Sequence, residues 1–583
     1  MRDRLLVRLF LWRFLEHDLV SPNVDRHTVM SAVGGALAAF SLFVAVLMAW
    51  QYQLAAEMPP GITAVFALSD RFLFTSSSML VMALAAAVQW DALVLDSRDA
   101  AVLGPLPLTR GVIVRAKFVA TGLLAAGVLA LWNLFPTLLR GAMIPSGLGL
   151  GMPDAFKLTL AHALVTSAAG LFGFLAVLGL RESLFAVLGA AGFRRVSAVV
   201  QTSLIFALTT SLLLLPRVNS VASEWHAQEP VPAKALPPAW FVGLHERLVG
   251  GVFDSLPRGR PARYLVRRER EATELYRSLW PLYRQLALIA IFAWCFVALV
   301  TTTACVWNSR RLPSTMSSIP RDTALTRVGR WFAVHLLARA PVQQAGFFFA
   351  LQTLSRRVAH RAGMAAAWAI GLALIVVDAS GDRSSAASGT IPIAVLMAQP
   401  LLLGIVMNGF RRATRLPSEL RGSSTFTLAW SGGASAFVSG VKRAGWIAVV
   451  APALFGLAIW HTAILGPRLA ALHFGVGFAT SAVLMEIIFL RCREVPFVTA
   501  APPTVDVKLR LIGFLVALVS LSSGLAWIER LSFGGATGYV SLVVFLVMLS
   551  LATAIVDRVS RSAAVTFDGE EELFPTQRLN LTQ

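Results

Sequence analysis

Long unbroken apolar blocks separated by short polar stretches organise this chain. A helix crossing about 30 Å of hydrocarbon needs about 20 mostly apolar residues, since each residue rises 1.5 Å and the backbone must satisfy its own hydrogen bonds. Blocks of this kind run from Val29 to Trp50, Phe72 to Trp90, Phe118 to Phe135, Leu158 to Leu180, Val196 to Leu215 and Gln285 to Val306. A second series runs from Met364 to Val377, Ile391 to Met407, Trp446 to Leu465, Ala471 to Leu490, Leu511 to Ile528 and Tyr539 to Val556. The pattern predicts an all-α polytopic membrane protein of about twelve transmembrane helices in two six-span halves. Met364–Val377 and Ile391–Met407 are short and Pro400 interrupts the second, so this pair reads as two crossings or as a re-entrant hairpin.

The polar stretches set the remaining boundaries. Residues 1–28 read as an interfacial amphipathic entrance, because Leu5, Leu6, Leu9 and Trp12 recur at helical spacing among Arg4, Arg8 and Arg13. No small-residue cleavage site follows a short apolar core there, so a secretory signal is not expected. Residues 29–306 form the first half, with a loop at 91–117 and a long connection at 217–283. Residues 307–363 read as a cytoplasmic linker carrying a second amphipathic stretch, GFFFALQTLSRRVAHR. Residues 364–556 form the second half, with a comparable loop at 490–510, and 557–583 a cytoplasmic tail.

Composition sharpens this picture. Of the 583 residues, 56% are hydrophobic and 14% charged, which excludes an ordinary soluble enzyme, where about a quarter of residues are charged. The 51 Lys and Arg against 31 Asp and Glu give +20, but basic residues of polytopic proteins collect in cytoplasmic loops, so no nucleic-acid partner is inferred. With the N-terminus inside, Arg98, Arg110, Arg181, Arg194 and Arg195 fall inside, short outer loops are nearly bare, and both termini are cytoplasmic. The connection 217–283 carries ten basic residues yet lies outside by parity; it reads as a pair of membrane-surface helices. Cys295, Cys305 and Cys492 lack metal or disulfide spacing, and no metal or cofactor site is expected.

An offset of 395 positions sets WDALVLDSRDAAVLGPLPLTRGVIVRAKF beside MEIIFLRCREVPFVTAAPPTVDVKLRLIG. Asp91 meets Glu486, Arg98 meets Arg493, Asp99 meets Glu494, Pro107 meets Pro502 and Arg115 meets Arg510. Each copy has an acidic residue near the inner end of a span, an Arg–acid pair in the loop, and prolines before the next span. The bland reading is solvated membrane ends and a surface ion pair of about 0–1 kcal/mol. The functional reading is a rigid plug that passes a cytoplasmic partner's motion to the helices.

At these residues the sequence resembles the permease subunits of ABC transporters of the type-two exporter class, in particular large bacterial permeases encoded apart from their ATPase. The resemblance is carried by DSRDAAVLGPLPLTRGVIVRAKF, LPPAWFVGLHERLVGG, RLPSELRG and FLRCREVPF. It implies an inner-membrane permease for ATP-driven export. Asp91, Arg98 and Asp99 would couple it to an ABC ATPase subunit, with Glu486, Arg493 and Glu494 as a second element. Many members carry six spans per subunit, so the twelve expected here leave open a fused pair of halves or a homodimer in the lipid bilayer.

The chain itself holds no GK dipeptide and hence no P-loop, and no HExxH, GxSxG or GxGxxG, so it is not expected to be an enzyme by itself. His162 and His461 lie inside apolar spans, where a hydrogen bond across a helix interface competes with a proton or substrate role. Two other functions remain open. One is an ion-coupled secondary transporter with parallel halves; the other is a membrane-embedded transferase using Glu246, Asp254, Glu269 and Glu274 of the long connection.

Overall fold

The computed structural model describes residues 2–15, 34–46, 50, 59–90, 92–93, 103, 108–148, 150–228, 234–250, 266–310, 340–381, 391–416, 434–490, 495–498, 507–533 and 536–560. The protein is a multi-pass, all-helical membrane protein, with no strand among the described residues. Two compact units divide between Ser318 and Ile319.

The first unit begins with α1 (Arg2–Leu15) and α2 (Gly34–Val46). It continues through α3 (Pro60–Val88), α4 (Arg110–Leu148) and the long α5 (Met152–Gln228). Gly189 breaks α5 with φ 64° and ψ 177°, a backbone region that is essentially glycine's alone. The break lies near the junction of two membrane-length arms, Met152–Phe193 and Arg195–Pro216. Three helices complete the unit: α6 (Pro237–Val249), α7 (Val266–Ser278) and α8 (Trp280–Arg310).

Helix α3 packs along α5, α8 packs on α5 and α6, and α1 packs on α4. Leu68, Phe72, Leu158, Val242, Leu282 and Leu286 form the apolar centre where α3, α5, α6 and α8 meet. The long connection is thus more than a surface pair. α6 buries Phe241, Val242, Gly243, His245 and Glu246, whereas α7 buries only Tyr276. The sequence signal that distinguishes them is polarity: α6 is apolar round most of its circumference, while seven of the thirteen residues of α7 are charged.

The second unit holds α9 (Pro341–Arg356), α10 (Val358–Gly381), α11 (Ile393–Thr414) and α12 (Ala434–Gly445). Then come α13 (Ala451–Leu465), α14 (Pro467–Ile488), α15 (Val507–Ser532) and α16 (Ala536–Ser560). A π segment, Trp446–Val450, joins α12 to α13 just before Pro452, whose missing N–H deletes one i→i−4 bond. Leu402, Val406, Phe410, Val441, Val450 and Phe489 lie at the centre of this unit's core.

Among the described residues nine helices are long and apolar enough to cross a membrane, or ten if the bent pair Pro341–Arg356 and His360–Val376 counts as one span. This is fewer than the twelve expected. At Val29–Trp50 the described helix is Gly34–Val46, whose thirteen residues rise about 20 Å, short of the about 30 Å of hydrocarbon. Met364–Val377 belongs to α10, which meets α9 at a bend of 81°. Leu511–Ile528 lies within the 26 residues of α15. Ile391–Met407, one of the two uncertain segments, lies largely within the single 22-residue helix α11, which Pro400 does not break.

The two units share a packing order. In each, the amphipathic entrance helix (α1, α9) packs on a later helix that follows a polar connection (α4, α12). In each, the helix before that connection (α3, α11) packs on the helix after next (α5, α14), with α12 and α13 counted together as the one continuous span Ser435–Leu465. This order matches α4, which carries Lys117, with α12, which carries Lys442. The echo at 395 positions instead aligns the end of α3 with the end of α14, which hold different places in the order.

Candidate functional site

In the first unit, the chain leaving α3 is tied down where it enters the 91–117 loop. Gln89 Nε2 donates to Phe14 O of α1 at 3.1 Å. The fully buried Trp90 donates its Nε1–H to Ser197 Oγ in the second arm of α5 at 2.9 Å, and Gln201 Nε2 donates to Ala87 O at 3.0 Å. Thr121 Oγ1 of α4 donates to Leu93 O at 3.3 Å. A push on this connection therefore meets anchors on α1, α4 and α5 within a few residues of the end of α3.

A cavity of ≈ 70 Å³ lies beside these anchors, walled by Leu93, Val114, Phe118, Leu178 and Phe185 and carrying Lys117, Arg181, Glu182, Cys305 and Asn308. Charged groups at such positions stay charged only when paired or stacked. Arg181 Nη1 pairs with Glu182 Oε1, and Asn308 Nδ2 donates to both Glu182 Oε2 and the Glu182 backbone oxygen at 2.8 Å. Lys117 Nζ stands 4.6 Å from the Phe10 ring centroid and 5.2 Å from that of Phe14, both on α1. The Arg181 guanidinium sits 5.3 Å over Phe193. The aromatic residues of the amphipathic entrance thus cover a cation with ring faces, a cation–π arrangement.

The second unit places a charged pair at the corresponding step. Lys442 Nζ lies 2.5 Å from Glu486 Oε2, tying α12 to α14. Of the six candidate coupling residues, Glu486 alone is described; Asp91, Arg98, Asp99, Arg493 and Glu494 lie outside the described residues. The flanks of the second loop are nevertheless defined. Phe489 is fully buried in the core, and the turn Val495–Val498 packs beside it. Phe497 N–H donates to Thr414 O at the end of α11, 2.7 Å away, with φ 66° at Phe497, a left-handed conformation uncommon for a bulky residue. Two of the quoted motifs, RLPSELRG and FLRCREVPF, therefore begin or end at one place in the fold.

The acids of the long connection do not converge. Glu246 pairs with Arg71 of α3 and accepts from Tyr276 Oη at 2.7 Å, with His245 Nδ1 3.6 Å away. Glu269 accepts from Ile62 N–H at 3.2 Å, Glu274 is exposed, and Asp254 lies outside the described residues. His162 makes edge contacts with Phe74 and with His245, whose centroid is 6.4 Å away. His461 Nε2 lies 3.1 Å from Val395 O, and its ring stands 4.4 Å from that of His473, whose Nδ1 is 2.7 Å from Glu529 Oε1. Sequence reasoning missed Arg71, Lys442 and Glu529 as partners. All three stand just outside the apolar blocks, where solvation is the ordinary reading; only the extension of α3, α12 and α15 past those blocks makes each need a counter-charge.

No protein-family model matches the chain, and neither a curated protein nor a solved structure does.

Proposed function

We propose that this chain is the membrane permease subunit of an ATP-driven exporter in a bacterial cytoplasmic membrane, with ATP hydrolysed by a separate ABC ATPase subunit docked on its cytoplasmic connections. The observation that carries the reading is the bracing of both connections. The first is rooted through Gln89, Trp90 and Leu93; the second is held between Phe489 and the Phe497–Thr414 bond, with Lys442–Glu486 tying the adjacent helices. A partner's motion reaches helices only through connections that do not yield. ATP binding then shifts the two units toward one arrangement by its differential affinity for the two states.

The test is recovery of an ATPase subunit with the tagged full chain from mild detergent. Arg98→Glu reverses one charge of the first connection and is expected to reduce recovery about tenfold, equivalent to about 1.4 kcal/mol. A monodisperse chain that never retains an ATPase, or Arg98→Glu recovering it like the wild type, counts against the reading. Labelling single cysteines placed at the two termini from either face tests the cytoplasmic location of both.

A second reading rests on the buried His461–His473–Glu529 chain, a set of proton-binding groups inside the second unit that suits an ion-coupled carrier. Flux into proteoliposomes that follows an imposed proton gradient without ATP, and is lost in Glu529→Gln, favours this reading over the first.

A further inference from the structure

We infer that His473 and Glu529 form a one-proton lock between α14 and α15, and that this end of the second unit loosens as the pH rises. The inference holds whether ATP or an ion gradient drives the chain. His473 Nδ1 lies 2.7 Å from Glu529 Oε1, and both side chains are 1% exposed. His461 of α13 stands edge-on to His473 with ring centroids 4.4 Å apart, and its Nε2 lies 3.1 Å from Val395 O of α11. Tyr539 Oη of α16 donates to Leu472 O, beside His473, at 2.6 Å.

Burial dictates the proton count. Taking a net charge out of water is costly unless an opposite charge meets it, so the pair is most stable when it is neutral. One exchangeable proton makes it so, whether the proton rests on the carboxylate or on the imidazole; the count belongs to the pair. Without that proton the pair carries one negative charge, and with a second it carries a positive one. His461 opposes the second. Its Nε2 holds a hydrogen to meet the Val395 carbonyl, and two imidazolium rings at this separation would repel each other.

Among the described residues no permanent cation neutralises Glu529 instead. Arg468 is exposed and Arg530 half-buried, and neither is ion-paired with it. Arg411, Arg412 and Arg415 stand at the far end of α11, and Glu486, near the far end of α14, is paired with Lys442 of α12. The first unit shows the contrast. There α5, which holds the place of α14 in the packing order, sets His162 against His245, and the adjacent Glu246 is paired with Arg71. Arginine keeps its charge throughout, so that carboxylate is neutralised without a proton that water can take.

The lock has a defined place. His461 and His473 flank the turn from Leu465 to Pro467, and Glu529 and Tyr539 flank the one from Ser532 to Ala536. It therefore closes the end of the unit opposite the 490–510 connection, where α14 and α15 both pack on α11 and α16. When this end opens, both groups meet water, where histidine gives up its proton above about pH 6.5 and glutamate above about pH 4.3. Opening above about pH 6.5 thus releases one proton, and each further pH unit favours it about tenfold.

The test uses the purified full chain in detergent, with hydrogen exchange followed by mass spectrometry between about pH 6 and pH 9 and each rate referred to the intrinsic rate at that pH. Protection of the last turns of α15 is expected to fall about tenfold per pH unit above about pH 6.5, while that of α3 in the first unit stays level. Glu529→Gln keeps the shape and a contact to His473 but has no proton to lose, and should make the protection of α15 independent of pH. The double variant His473→Gln/Glu529→Gln, which also lacks the proton, is expected to give the same result and decides the matter if the single variant does not fold. Level protection of α15 in the wild type, a fall in either folded variant as steep as in the wild type, or loss of protection in α3 in step with α15 overturns the lock.

Discussion

Arg71→Met is expected to lower the stability of the first unit by about 3–5 kcal/mol, the loss that follows when one member of a buried ion pair is removed. The side chains of Arg71 and Glu246 are 1% and 0% exposed, so in the variant Glu246 keeps, among the described residues, the hydrogen bond from Tyr276 Oη at 2.7 Å, with His245 nearby. Since folded proteins stand only about 5–15 kcal/mol above the unfolded state, the change suffices to drop the melting temperature in detergent by many degrees or to leave the chain aggregated. The double variant Arg71→Met/Glu246→Leu removes both charges and should recover most of the loss, because a well-packed apolar pair at such a position is often as stable as the ion pair. If Arg71→Met melts with the wild type, the pair does not hold α6 against α3. If the double variant melts with the single one, the loss comes from packing of the arginine stem rather than from an orphaned charge.

That contrast explains which parts of the architecture could be read from residues alone. Spans such as Leu158–Leu180 and Gln285–Val306 are set by a local property, a run of apolar side chains long enough for lipid, and the corresponding helices are present. The long connection failed for a non-local reason. Whether an amphipathic helix lies on a membrane or folds into a bundle depends on whether Arg71, more than 160 positions away, is there to meet Glu246. No local pattern around 217–283 carries that information. The same holds at the candidate site. Glu486 stood out because it lies at a helix end beside an Arg–acid pair, yet its described partner is Lys442 of α12. Lys117, Arg181 and Asn308 come from three helices, and only packing reveals that they share a cavity. The entrance helices were legible as amphipathic, but their docking on α4 and α12 was not, because it depends on contacts between distant residues, Lys117 over Phe10 and Phe14 in the first unit and backbone approach at Gly346 and Gly440 in the second, rather than on hydrophobic period.

The closest such approach carries the second large effect. At the crossing of α9 and α12, a Cβ on Gly440 would press on the carbonyl oxygen of Gln343 and lie 2.9 Å from Phe347 N; one on Gly346 would press on the carbonyl oxygen of Phe437. The obstructing atoms are backbone, which cannot swing aside as a side-chain tip does, so the helices must separate. Small residues that let two backbones touch are how helices associate in lipid, where no hydrophobic force drives them together. Gly440→Ala is therefore expected to cost about 1–3 kcal/mol and Gly440→Leu more, beyond the usual range for overpacking. Separation would also break the Arg443 Nη1 to Gln343 Oε1 contact at 3.4 Å and loosen Phe347 and Phe437, which belong to one core. Limited proteolysis distinguishes local from global failure. Faster cleavage within Pro341–Arg356, with the first unit still protected, is the expected result for Gly440→Leu. A variant whose α9 is cut no faster than in the wild type, and which melts at the same temperature, would mean that the crossing tolerates a side chain and that the entrance helix of the second unit is held elsewhere.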